Sequence, residues 1–202
     1  MKYLAILVAM LLVVSCKTMS PAEYRAMNEK AAEADRLSKE NEELVRQLEE
    51  LQTAYESMET SLKEEIEQQQ VKLEKLSDRS VLLTMQENVV FSVASIKINR
   101  AGRRVLAKVA KSLKEAPDSK IRVVGHTDIL PITNPDLKKR FIDNWELSAA
   151  RAAAVARVFV WGYDIPEERI TVVGRSHVEP VASNTTAKGR SKNRRIEVYL
   201  EQ

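Results

Sequence analysis

Apolar positions recur along this chain with different periods, and each period predicts a different kind of element. Between residues 3 and 14 they are nearly continuous behind a single base, Lys2. Further on, Leu37 is followed by Leu44, Leu48, Leu51, Tyr55, Met58 and Leu62, in alternating steps of four and three after Leu44. That spacing is a heptad seam. At Leu62 the phase breaks, because Ile66 follows by four where three is due, and Leu73 and Leu76 continue the new frame. An inserted four of this kind reads as a stutter in a coiled coil. The seam so defined covers residues 27–76, about 75 Å of continuous helix at ~1.5 Å per residue.

From residue 81 the period shortens. VLLTMQENVVFSV, KIRVVG, RITVVG and RRIEVYLE are β-branched or alternating runs, which read as strands. Between them, residues 100–116 place Val105, Leu106, Val109, Ala110 and Leu113 on one helical face, and Pro117 stops the helix. Residues 144–162 do the same with Leu147, Ala150, Ala154, Val155 and Val158, ending at Gly162. Strands separated by helices, over roughly 120 residues, predict one α+β domain of β-α-β-α-β order with a single core.

Punctuation and charge divide the chain at the same places. All five glycines and five of the six prolines follow Ala101. Residues 17–80 hold 10 basic and 16 acidic side chains, whereas residues 81–202 hold 21 basic and 13 acidic. The overall +3 therefore describes neither part. The middle is read as a coiled-coil stalk over residues 27–80, with Asn41 at a seam position where a buried polar group fixes register. A solvated single helix or a charged linker would share its composition. Either way it is a spacer, with a homo-oligomer as the expectation of the first reading.

The first stretch is too short to span a bilayer comfortably. As a helix it reaches ~18 Å against a hydrocarbon core of ~30 Å. It ends in VVSC, and Cys16 is the chain's one cysteine, so no internal disulfide is open to it. VVSC resembles a bacterial lipobox, which implies a signal peptide over residues 1–15 and a lipidated Cys16 at the head of a linker, residues 16–26. The multiple acyl chains this implies, palmitate among them, anchor stably where a single chain would not. Lys17 in place of aspartate resembles the signal for release to the outer membrane.

Three motifs in the last part carry a resemblance. GHTD closes one strand, NWELSAARAAAVARVF opens a helix, and GRSHVEPVASNTTAKGRSKNRRIEV precedes the final strand. In this order they resemble the OmpA-like peptidoglycan-binding domain shared by OmpA, Pal and the flagellar stator protein MotB, over residues 81–202. The resemblance implies a mixed sheet with helices on one side, a periplasmic head, no cofactor, and peptidoglycan as partner. The long connection of residues 129–143 looks more like MotB than Pal, yet a MotB would carry a membrane span with an ion-coupling aspartate where this chain has the lipobox-like VVSC. Ser92 stands where many members have aspartate.

The ligand so implied is the stem peptide, chiefly its meso-diaminopimelate, whose free end bears one ammonium and one carboxylate. The family pattern assigns Asp128 to the ammonium and Arg151 to the carboxylate. It sets Thr127, Asn144 and Leu147 at the pocket wall and Arg194 nearby. Asn144, Leu147, Ser148 and Arg151 share one side of the second helix, whose start favours a carboxylate. Asp143 and Glu146 are spaced for a capping box there. Plainer roles exist for each residue. Asp128 suits a turn cap, Arg151 an exposed partner of Glu146, Asn144 a helix cap, and His126 a strand end bonded to backbone. Arg194 and Arg195 are expected to divide their work, one paired with Asp128 and one exposed.

Other chemistries fit poorly. Ser148, Asp128 and His126 or His177 have the residue types of a hydrolase triad, but Ser148 lies within a helix pattern rather than on a sharp turn. Two histidines and one cysteine make a metal site improbable. A basic domain ending in GRSKNRR suits nucleic acid only superficially, since no aromatics interleave the arginines. The expectation is a non-enzymatic tether between outer membrane and cell wall. The alternative is a scaffold of an envelope complex, flagellar or secretory, that uses the head only for positioning.

Overall fold

A computed structural model describes residues 20–202, so the signal-like stretch and Cys16 lie outside the described residues. The described residues fall into two units, one ending at Leu44 and the other Val45–Gln202. The first helix, α1 (Pro21–Ser61), opens on a reciprocal cap. The Glu23 N–H donates to Ser20 Oγ at 3.2 Å and the Ser20 N–H to Glu23 Oε2 at 2.8 Å. Serine followed by glutamate three positions on, with proline at the first helical position, favours this start. In the first unit the seam residues Met27, Leu37 and Leu44 are exposed. Among the described residues no helix is long and apolar enough to cross a membrane.

In the second unit the same seam changes role. Leu51, Ala54, Met58 and Leu62 are at most 1% exposed and belong to the domain's own core. α1 ends at Ser61, where the sequence pattern suggested a stutter. A short helix α2 (Lys63–Glu67) follows, and Gln69 turns the chain with a φ of 55°. The next residues are not helix but strand β1 (Val71–Ser77), joined by a tight turn to β2 (Ser80–Gln86). The expectation of a helical stalk through residue 80 is corrected on this point. Val71 and Leu73 alternate with Lys72 and Glu74, which is also a strand pattern. A heptad seam, moreover, cannot distinguish packing on another chain from packing on one's own sheet.

The remaining elements follow in the expected order. Helix α3 (Glu87–Val90) is one turn at the end of β2; α4 (Arg100–Leu113) precedes β3 (Lys120–Gly125). After α5 (Pro135–Lys138) come α6 (Asn144–Tyr163) and β4 (Ile170–Gly174), then α7 (Ala187–Asn193) and β5 (Arg195–Glu201). The sheet is mixed, ordered β1-β2-β5-β3-β4, with only the β3–β4 pair parallel.

Register explains the core. Val81, Leu83 and Met85 of β2 lie opposite Leu200, Val198 and Ile196 of β5, whose other neighbours include Ile121 and Val123 of β3. These inward residues form one apolar cluster with Val105, Leu106, Val109 and Leu113 of α4 and Val155 and Phe159 of α6. The opposite sheet face carries polar residues instead, with the Arg122 guanidinium 3.9 Å from the Tyr199 ring centroid. The fold is the expected α+β arrangement with a long N-terminal helix.

Candidate functional site

β5 runs antiparallel between β2 and β3, so its start sits beside the ends of both. The Glu87 N–H donates to the Arg194 carbonyl at 3.0 Å, and the His126 N–H to the Arg195 carbonyl at 3.0 Å. Topology thereby gathers Glu87, Arg194 and Asp128, far apart in sequence, at one end of the three central strands. α6 adds Arg151. Its approach depends on two glycines, because a Cβ on Gly125 would lie 2.1 Å from the Ser148 carbonyl oxygen and one on Gly174 2.8 Å from Ala149 Cβ. The cap of α6 is Asp143, whose Oδ1 accepts from the Trp145 and Glu146 N–H groups. Glu146 reaches back to the Ile142 N–H at 2.7 Å, a variant of the expected box.

The four charges form an alternating chain. Arg151 Nη2 donates to Glu87 Oε1 at 2.5 Å, and Arg194 Nη1 donates to Asp128 Oδ2 at 2.6 Å. Arg194 Nε lies 3.1 Å from Glu87 Oε2, within ion-pair range, but without the alignment of a hydrogen bond. Asp128 Oδ1 also accepts the Leu130 N–H at 3.0 Å, so the aspartate does cap the turn after β3. Asp128 is 7% exposed and Arg151 4%, whereas the Arg194 side chain is 36% exposed. Burial pulls the Arg151 guanidinium below its usual pKa, against the opposing charge of Glu87. Asp128 and Arg151 make no bond to each other, and each is held by a middle member of the chain.

The other predicted wall residues shape the loop. Thr127 is buried, its N–H donating to the Ser176 carbonyl and its hydroxyl to the Asp128 carbonyl. Asn144 Nδ2 donates to the carbonyls of Leu130, at 2.9 Å, and Asp128, at 3.3 Å. Leu147 is buried on the inner side of α6. A cavity of about 270 Å³ adjoins the ion chain. Glu87 and Arg194 line it, together with Phe91 and Ser92; Asp128 and Arg151 do not. A larger cavity of about 520 Å³ lies along β1 and β2, with Thr84, Lys192 and Glu197 among its lining residues. It contains no member of the ion chain.

Residues 90–194 match the OmpA family. The chain belongs to that family. The probable lipoprotein YiaD of Escherichia coli is 36% identical over 61% of this chain and 52% of its own. Motility protein B of Bacillus subtilis is 31% identical over 62% of this chain and 47% of its own. The chain thus spans about half the length of the curated relatives it matches. Among solved structures, the cell wall anchor of the T6SS from Pseudomonas aeruginosa superimposes with a TM-score of 0.64 at 31% identity. That match covers 71% of this chain and 96% of the other.

Within this OmpA-family head, several motif residues prove to be structural. Asn193 accepts from the Val181 and Ala182 N–H groups and donates to the Ala182 carbonyl, sewing the loop before α7. A Cβ on Gly189 would meet the Ser183 carbonyl at 1.9 Å. Ser148, fully buried, donates to the Trp145 carbonyl and accepts the Ser176 N–H, so its hydroxyl is engaged on both sides.

Three plainer expectations are corrected. Arg151 is not an exposed partner of Glu146, because its helix face is turned onto Glu87. His126 bonds a carboxylate rather than backbone through its ring, with Nε2 3.2 Å from Glu197 Oε2. Of the two adjacent arginines, Arg194 takes Asp128 as expected, but Arg195 is buried on Glu197 at 2.7 Å rather than exposed. Glu87 was not singled out from sequence at all. It lies inside the run VLLTMQENVVFSV, read as strand, where a lone acid carries no periodic signal.

Proposed function

We propose that this chain is a non-covalent peptidoglycan tether, with the diaminopimelate end of a stem peptide read by the ion chain of Arg151, Glu87, Arg194 and Asp128. The observation that carries the reading is that alternation of charges at the ends of the central strands beside a cavity. A zwitterionic amino-acid end needs an anion and a cation a few ångströms apart, and bidentate guanidinium groups suit its carboxylate. Membership of the OmpA family supports the choice of ligand, as does the relative described as a cell wall anchor. Thr127, Asn144 and Leu147 hold the loop and helix that set the geometry.

Charge supports the same polymer. Arg100, Arg103, Arg104 and Lys111 of α4, with Lys114 just beyond it, are exposed, and residues 100–114 contain no acid. Among the described residues none of these five forms an ion pair. An anionic wall polymer is the complementary surface. In this reading the head works in the periplasm, lipidated Cys16 attaches the chain to the outer membrane, and the exposed seam residues of α1 in the first unit pair with a second copy. The reading is of a binding module, without a catalytic step.

Co-sedimentation of the full chain with purified sacculi tests it. Asp128→Ala and Arg151→Ala should each lower binding at least tenfold, since loss of one partner of a desolvated pair costs ~2–5 kcal/mol. Free diaminopimelate should compete. Unchanged sedimentation of both variants would refute the site.

A second reading is a positioned scaffold in a larger envelope assembly, favoured by the likeness to the T6SS anchor over most of that chain. It shares the head's chemistry and differs in requiring a protein partner for the N-terminal helix.

A further inference from the structure

The wider of the two cavities lies on the sheet face turned away from α4 and α6, and the ion chain takes no part in it. We propose that it receives the carboxyl-terminal end of an extended peptide. The free carboxylate meets Arg195 and Lys192, and the residues before it lie along β2.

Register builds the floor. Gln86 of β2 lies opposite Arg195 of β5, and Thr84 lies opposite Glu197. On the other side, Leu82 and Thr84 face Glu74 and Lys72 of β1. All of these line the cavity, whose volume of about 520 Å³ is that of an ordinary ligand site. From Leu82 to Gln86 the floor runs ~13 Å at ~3.3 Å per residue, the reach of three or four extended residues.

Three observations select the occupant. The first is a spare donor at the bottom. Arg195 is 4% exposed, its Nε donating to Glu197 Oε1 at 2.7 Å and its Nη1 to the Asn193 carbonyl at 3.3 Å. Nη2 has no partner among the described residues, and the little surface this side chain keeps is at the cavity it lines. A guanidinium N–H left over in such a place is suited to a carboxylate oxygen.

The second is charge balance. The lining holds three cations, Lys72, Lys192 and Arg195, and two anions, Glu74 and Glu197. Lys72 is 2.8 Å from Glu74 and Arg195 is paired with Glu197, whereas Lys192 has no ion pair among the described residues. One positive charge is left over, and a single carboxylate neutralises it. A phosphate ester, close to two charges at neutral pH, would overshoot that balance beside Glu197.

The third is the mixture of surfaces. Leu82 and Val181 are apolar, and Val181 is 61% exposed although its N–H is fixed by Asn193 Oδ1 at 2.9 Å. Thr84 and Gln86 between them are polar. A simple alkyl acid would desolvate the Thr84 hydroxyl and the Gln86 carboxamide without replacing their hydrogen bonds, and a sugar acid would set hydroxyls against Leu82 and Val181. A peptide end supplies amides for the first pair and side chains for the second.

Titration of the full chain, followed by its amide NMR shifts, tests the proposal with acetyl-trivaline, the carboxyl-terminal amide of the same peptide, and hexanoate. Acetyl-trivaline should shift Thr84 and Gln86 and bind roughly tenfold more tightly than either of the others. Lys192→Glu, at an exposed position, should weaken the acid several-fold and leave the amide unchanged. Arg195→Lys keeps a cation for Glu197 but removes the spare donor, and should reduce the preference for acid over amide. If Arg195→Lys does not fold, Lys192→Glu decides. Equal binding of acid and amide would overturn the carboxylate assignment, and hexanoate matching the peptide would overturn the choice of a peptide. No binding of acetyl-trivaline at millimolar concentration would overturn the site itself.

Discussion

A single buried carboxylate, Glu197, organises the polar face of the sheet much as Glu87 organises the ends of its central strands. It lies on β5 with the Arg195 Nε at 2.7 Å, the Tyr199 hydroxyl at 2.8 Å and His126 Nε2 at 3.2 Å. Burial alone would raise its pKa. The hydrogen bond from His126 and the charge of Arg195 outweigh burial and bring it down from 4.5 to about 2. Burial and the neighbouring Glu197 push the Tyr199 hydroxyl the other way, to about 12. Glu197→Ala should cost about 3–5 kcal/mol in urea unfolding at neutral pH, because Arg195 is left as a buried cation without its anion. The carboxyl is more acidic folded than unfolded, so its contribution is complete above pH 4.5 and is lost as pH falls toward about 2. The gap between variant and parent should therefore narrow across that acid window, and a gap independent of pH would refute the assignment. At this scale the motif glycine and acid, Gly125 and Asp128, were legible in sequence. Glu87 and Glu197 were not, since a lone acid on a strand or turn carries no periodic signal and gains its partners only through strand order.

Elements were legible where periodicity had one interpretation. α4, α6, β3 and β5 lie within a few residues of where alternation and amphipathic spacing put them. The hairpin of β1 and β2 escaped because its turn, Ser77–Ser80, lacks glycine and proline and is held by the Ser77 hydroxyl accepting the Arg79 N–H. α1 was half legible: its helix was evident, but not that Leu51, Met58 and Leu62 face the domain's own core. A fragment beginning at residue 81 would lose β1 and these anchors, exposing the surface they cover. A fragment beginning at residue 45 retains them. Circular-dichroism melts should show a cooperative transition for the longer fragment. The shorter should melt without cooperativity or aggregate, and equal melts would contradict the role given to α1. Within the longer fragment Leu51→Ala should cost about 2–5 kcal/mol, the usual range for a filled core site.

For the molecule as a whole, two kinds of electrostatic contact with the wall are separable by salt. Raising ionic strength from about 0.1 M to about 1 M shortens screening from ~10 Å to ~3 Å. That weakens the exposed cations of α4 far more than the desolvated ion chain. Sacculus binding should fall several-fold across this range, and Arg103→Glu with Arg104→Glu should flatten the dependence without removing competition by diaminopimelate. A dependence unchanged by the charge reversal would remove α4 from the contact. The burial of α1 has a mechanical corollary. Within the second unit, a load carried by the chain at Val45 reaches Leu51, Ala54, Met58 and Leu62 before any strand of the sheet. The domain is thus gripped by its own core, and such a load must displace four buried apolar side chains before it bears on the sheet.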